Sequence, residues 1–240
     1  MKIKKVNANS TCKICHAQAP LYGVIDFNDI HGRHNLNMPL SGYAIYYHRC
    51  PECGLIYTNA FDDWTEEDFA SHVYNDDYIH IDPDFPQKRP QQNADFLIEN
   101  FADLASWKML DFGCGSNRLV NLLKERGITA TGWDPFYPSG DMPTEKFDFI
   151  VNFEVMEHTP DPLKTVSLIN ELLDERDGKC FFTTLNNNGR EKQGMHDWYI
   201  LPRGGHVTYY SRKALDILFN RFNMRVYHMS EGLHLAFRLP

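Results

Sequence analysis

From residue 108 onward, short apolar runs alternate with amphipathic stretches. Strand-like runs fall at 108–112, 128–133, 147–153 and 179–185, and apolar positions recur at helical spacing over 117–126, 162–175 and 211–222. In the first of these helices Leu119, Val120, Leu122 and Leu123 share one side. Strand and helix in alternation predict an α/β fold with a parallel sheet. Two extended runs, 224–229 and 233–239, meet near Glu231-Gly232 and predict a closing antiparallel pair at the sheet edge. Phe96, Leu97, Phe101 and Leu104 predict a helix within 91–106. Residues 61–90 are rich in acidic, aromatic and proline residues, among them Trp64, Phe69, Tyr74, Tyr78 and Phe85. This reads as a connector holding one short helix at 65–73, with Thr65 as N-cap and Asp68 three positions on. Residues 1–60 are polar, with small strands at 45–47 and 55–57. The chain thus divides into a small module (1–60), the connector (61–90) and an α/β domain (91–240).

An apolar content of 42% over 240 residues supports a sizeable core without covalent staples. No apolar run reaches the length of about 18 residues that a membrane helix needs. The N-terminal Met1 to Asn7 is basic but has no apolar stretch, so it does not read as a secretory leader, and the protein is expected in the cytoplasm. Net charge is −8, with no basic face for a phosphate backbone, which argues against nucleic acid as a partner.

Cys12-Lys-Ile-Cys15 and Cys50-Pro-Glu-Cys53-Gly54 form two pairs, 34 residues apart. In a reducing compartment such pairs bind metal or do redox work. Four thiolates complete a tetrahedral shell and predict a structural Zn²⁺ held by Cys12, Cys15, Cys50 and Cys53, with His16 and His48 as adjacent substitutes and redox dithiols as the alternative.

The segment Met109 to Arg118 carries strand, glycine turn and helix in succession. Gly113 and Gly115 let a ligand approach bare backbone, and the helix start behind them presents unpaired N–H groups. Asp134 lies 19 residues after Gly115, at the end of the second strand, where an acid can accept from two ribose hydroxyls. Nicotinamide-dinucleotide folds share that device. Asp111, just before the first glycine, argues against a pyrophosphate, which it would repel, and suits a cationic amine or a role in orienting the turn.

Leu110-Asp-Phe-Gly-Cys-Gly115, Phe147-Asp-Phe-Ile through Val155-Met-Glu-His158 to Pro162, and Gly204-Gly-His206 through Leu215 resemble the motifs of class I S-adenosylmethionine-dependent methyltransferases of the type 23/11 group. The cysteine pairs and aromatic connector resemble the N-terminal module of a subgroup that includes enzymes acting on sugars and other small metabolites. The resemblance implies a three-layer Rossmann-like sheet, S-adenosyl-L-methionine as cofactor and a small-molecule methyl acceptor. It places Asp111, Gly113 and Gly115 at the cofactor's methionine portion, Asp134 at the ribose and Glu154 beside the sulfonium and amino group. Glu157 and His158 would face the acceptor cleft or orient its floor, with His206 approaching from the loop before the last helix.

Asn117 stands where the family often has a third glycine, and Asn tolerates the left-handed conformation. Twelve residues separate Asp134 from Phe147, too few for a helix and a third strand, so the edge strand is expected to be missing or reduced to a loop. Asp141 is the remaining candidate there for the adenine contact. Bases for a hydroxyl or carbon acceptor are His158, His196 and His206, with Glu154 and Glu157. His158 also reads as a cap of the helix starting near Pro160, and Glu157 as a first-turn acid. Trp198, Tyr199, Tyr209 and Tyr210 read as an acceptor wall or as packing. The competing function is a zinc-ribbon adaptor with a vestigial cofactor fold.

Overall fold

Two sheets organise the chain, described here from a computed structural model covering residues 8–31, 36, 38–137 and 140–239. The basic stretch 1–7 and Pro138 lie outside the described residues. The first sheet comprises β1 (Asn9–Thr11), β2 (Gln18–Asp26), β3 (Ala44–Arg49) and β4 (Ile56–Thr58), each antiparallel to the next. The connector folds into α1 (Glu66–His72), α2 (Tyr78–Ile81) and the start of α3 (Lys88–Asn100). α1 begins as its sequence dictates: the Thr65 side chain accepts from the Asp68 N–H, and the Asp68 carboxylate accepts from the Thr65 N–H at 2.8 Å.

The second sheet is built from β5 (Met109–Phe112), α4 (Arg118–Glu125), β6 (Ala130–Trp133), β7 (Phe149–Phe153), α5 (Pro162–Leu172) and β8 (Lys179–Thr183). After β9 (Thr208–Tyr209) the chain closes with α6 (Arg212–Asn220), β10 (Met224–His228) and β11 (Leu233–Arg238). The strand order is β10-β11-β8-β7-β5-β6, with β5 to β8 parallel and β11 antiparallel to both β8 and β10. Among the described residues no strand lies beyond β6, as the short 135–146 link requires.

Alternation along the central strands sorts side chains between two helical layers. Met109, Phe149, Val151 and Phe181 pack with Ala94, Leu97, Leu119 and Leu123 of α3 and α4. Leu110, Ile150, Cys180 and Phe182 pack with Val166, Ile169, Leu215 and Leu218 of α5 and α6. Burial on both faces explains why β7 reads Phe-Ile-Val without polar alternation.

The two sheets are not independent. β9, far along the chain, pairs antiparallel with β4 and completes the first sheet. Cys12, Ile14, Cys50, Cys53 and Leu55 belong to the same buried cluster as Leu110, Met156 and Tyr210. Ser211, the N-cap of α6, also donates its hydroxyl to the Cys53 carbonyl.

Candidate functional site

The sheet changes direction between β5 and β7, and the carboxyl ends of β5, β6 and β7 open on a cavity of about 560 Å³. That volume is in the range of small-molecule sites. Gly113 has φ +84°, and a β-carbon there would lie 2.4 Å from Cγ2 of Val155, so only glycine fits between β5 and the loop after β7. Asn117 is left-handed at φ 61° and starts α4, so it does replace a glycine without breaking the turn.

Asp111, Asp134 and Glu154 all line the cavity. Asp134 Oδ2 accepts from the Gly115 N–H at 2.9 Å and Oδ1 from the Phe136 N–H at 2.8 Å, which fixes the carboxylate across the glycine turn. Burial raises its pKa against these bonds. Asp111 is 3% exposed, and burial, with the charge of Asp134, pushes its carboxyl up to about 7. Glu154 directly follows β7 with φ 52°, a strained value for a side-chain-bearing residue. It is held there by Thr183, whose hydroxyl accepts from the Glu154 N–H at 2.9 Å and donates to Oε1 at 2.7 Å. Three carboxylates around a glycine turn suit a ligand bearing both a nucleoside and cationic groups, so these residues fit S-adenosylmethionine. Trp133, Phe136 and Tyr137 add aromatic surface beside Asp134.

The connector also lines the cavity, through Tyr74, Tyr78, Ile81 and Phe85, joined by Trp198 and Leu201. Rings of Phe69, Phe136, Tyr74, Tyr78 and Phe85 follow one another at 5.0–5.9 Å. Arg89 lines the cavity too and binds Asp82 through two hydrogen bonds, at 2.6 and 2.9 Å. His158 and His206 line the cavity with their rings edge to face, 4.9 Å apart. His206 Nδ1 faces the Tyr199 carbonyl at 2.9 Å. A carbonyl only accepts, so Nδ1 carries a proton, and in the neutral ring the lone pair is then on Nε2. Burial holds His158 down at about 4, in its neutral form.

Several sequence expectations are corrected. His196 is exposed on a 3₁₀ turn, Gly194–His196, and does not line the cavity. Asp141 is likewise exposed and outside it, whereas Phe136 and Tyr137 line the cavity. Asp161, not His158, caps α5, accepting from the Lys164 N–H at 3.0 Å. Glu157 is fully buried behind the cavity, within a 3₁₀ turn that precedes α5. Of the four aromatics read as wall or packing, Trp198 reaches the lining and Tyr199, Tyr209 and Tyr210 pack inside. Arg89, Tyr74, Tyr78 and Phe85 are lining residues that no local motif singled out, their one signal being an aromatic-rich connector.

The four cysteines of the two pairs gather with their sulfurs within 4.8 Å of one another. Cys12 lies 3.5 Å from Cys53 and Cys15 lies 3.4 Å from Cys50, near the spacing of about 3.8 Å that four Zn–S bonds impose. The turns match: His16 at φ 62° and Gly54 at φ +77° follow their second cysteines, each donating its N–H to the first cysteine's carbonyl, at 3.1 and 3.0 Å. His16 thus serves the turn, and neither it nor His48 joins the sulfur group. The donor set fits a closed tetrahedral zinc site.

A methyltransferase-domain family profile matches residues 85–229. Ubiquinone biosynthesis O-methyltransferase of Saccharophagus degradans is 28% identical over 161 residues, covering 49% of this chain and 66% of that protein. Its namesake in Pseudomonas syringae pv. tomato is 30% identical over 140 residues, covering 45% and 60%. The chain spans less than two thirds of the length of these relatives. Among solved structures, an O-methyltransferase family protein from Burkholderia thailandensis superposes with a TM-score of 0.54 at 10% identity, covering 73% of this chain and 63% of that one. The N,N-8-amino-8-demethyl-D-riboflavin dimethyltransferase of Streptomyces davawensis gives 0.51 at 14%, covering 72% and 62%. These likenesses concern the fold, whereas the profile match extends over more than half of the sequence and takes in the glycine turn, Asp134 and the Glu154–His158 segment: the chain belongs to the methyltransferase-domain family.

Proposed function

We propose that this protein transfers a methyl group from S-adenosylmethionine to a hydroxyl of a small molecule. The reading rests on one observation: a single cavity runs from the carboxylates Asp111, Asp134 and Glu154 to the histidine pair His158–His206. When bound, the cofactor supplies a methyl group made electrophilic by its sulfonium. Asp134 would hold the ribose, and the aromatic group after it the adenine. Asp111 and Glu154 would face the cationic portion, and Arg89, paired with Asp82, would face the cofactor's carboxylate. The Nε2 lone pair of His206 would take the acceptor's proton, and the connector's rings would exclude water and orient an apolar or aromatic acceptor. The relatives named as O-methyltransferases support a hydroxyl acceptor. The cysteine site would hold zinc in a structural role and take no part in the chemistry.

Calorimetry with S-adenosylhomocysteine, followed by label transfer from methyl-tritiated S-adenosylmethionine to a panel of phenols, sugar nucleotides and amines, tests this. Micromolar binding and labelled ether product are expected. Absence of binding refutes the cofactor assignment. Binding with label only on amines refutes the hydroxyl assignment.

A further inference from the structure

The histidine that the proposed reaction needs as a base is held by a residue outside the cavity. Tyr199 is 1% exposed and contacts His206 twice, through its carbonyl to Nδ1 at 2.9 Å and through its ring, with centroids 4.4 Å apart. Tyr199 is itself fixed at both ends. Its N–H donates to Asp197 Oδ1 at 3.1 Å, and Asp197 is clamped by Arg190 through bonds of 2.9 and 3.0 Å. Its hydroxyl donates to Oε1 of Glu157 and accepts from the Leu185 N–H at 3.0 Å, with the Thr184 hydroxyl 3.1 Å away. Glu157 in turn accepts the Val207 N–H on its own carbonyl at 2.8 Å, next to His206.

We propose that Glu157 and Tyr199 are positioning residues: Glu157 anchors the Tyr199 hydroxyl so that the Tyr199 carbonyl keeps the proton on His206 Nδ1 and the lone pair on Nε2. The inference deepens the methyl-transfer reading and rests on it. Glu157 acts as a hydrogen-bonding carboxyl rather than a charge, because it is 0% exposed and does not line the cavity. Burial, reinforced by Glu154, drives its pKa well above the usual carboxylate range, which favours the neutral form. A glutamine can reproduce such a carboxyl; it cannot reproduce a carboxylate.

The test compares Glu157→Gln, Glu157→Leu and Tyr199→Phe in the full chain. Nitrogen-15 spectra of labelled histidine, assigned with His206→Gln, report the His206 tautomer without any acceptor. Kinetics and homocysteine-cofactor binding are measured alongside. The wild type is expected in the Nδ1–H form. Glu157→Gln should keep that form and stay within about threefold of wild-type kcat. Tyr199→Phe and Glu157→Leu should mix the tautomers and lose tenfold or more in kcat, with KM and cofactor affinity within twofold. Loss of activity in Glu157→Gln with the tautomer intact would overturn the proposal in favour of a charge role, such as a cation ligand beside His158 and His206, whose ligating atoms lie within 4.8 Å of those of Glu157. An unchanged tautomer in Tyr199→Phe would overturn it as well. Should the wild type methylate nothing, the spectra still decide the positioning claim.

Discussion

Lys13 Nζ donates to the Pro160 carbonyl at 2.8 Å, joining the first cysteine turn to a residue that lines the cavity. The same ammonium pairs with Asp62, another lining residue, and burial lowers its pKa. Lys13→Met keeps the buried stem and removes both bonds. It is expected to cost about 2 kcal/mol in denaturant unfolding and to raise KM for the acceptor while metal content stays constant.

Gly113→Ala sets a β-carbon against Val155 at a φ reserved for glycine. A loss of about 1–3 kcal/mol in stability is expected, together with at least tenfold weaker cofactor binding by calorimetry, because the turn and the loop after β7 must move apart.

Asp111 makes ligand binding and stability depend on pH. Its pKa is raised in the fold to about 7 from an ordinary 3.8. The folded state therefore binds this proton more tightly than the unfolded state. Its stabilising effect is complete below about pH 4 and is lost as pH rises toward 7. A cationic ligand favours the carboxylate, so cofactor binding below pH 7 should release a proton and tighten as pH rises. Calorimetry in buffers of different ionisation enthalpy reads that proton, and Asp111→Asn should abolish it.

Cys50→Ser opens the sulfur cluster. Elemental analysis is expected to find one zinc per wild-type chain and a large loss in the variant. The variant should also unfold more readily, since the cysteines share a core cluster with Leu110, Met156 and Tyr210.

Local signals in the sequence translated well into local structure. Thr65 with Asp68, Asn117 at the start of α4, the two cysteine turns and the short link after Asp134 each follow from a few neighbouring residues. Failures came where distant segments decide. Glu157 and His158 are adjacent, yet the turn Met156–His158 sends one inward and the other to the cavity. His196 lies near Trp198 in sequence, but its short 3₁₀ turn leaves it in solvent. The pairing of β9 with β4, like the roles of Tyr74 and Arg89, depends on contacts that no periodicity encodes.

The joining of β9 to the first sheet bears on how the chain matures during synthesis. All four sulfur donors are synthesised by residue 53, whereas the strand that covers β4 follows only at Thr208–Tyr209. Until then β4 has an uncovered flank, a template for wrong pairing. Early capture of a metal ion would pin the two cysteine turns during that interval and keep the flank ready for its late partner.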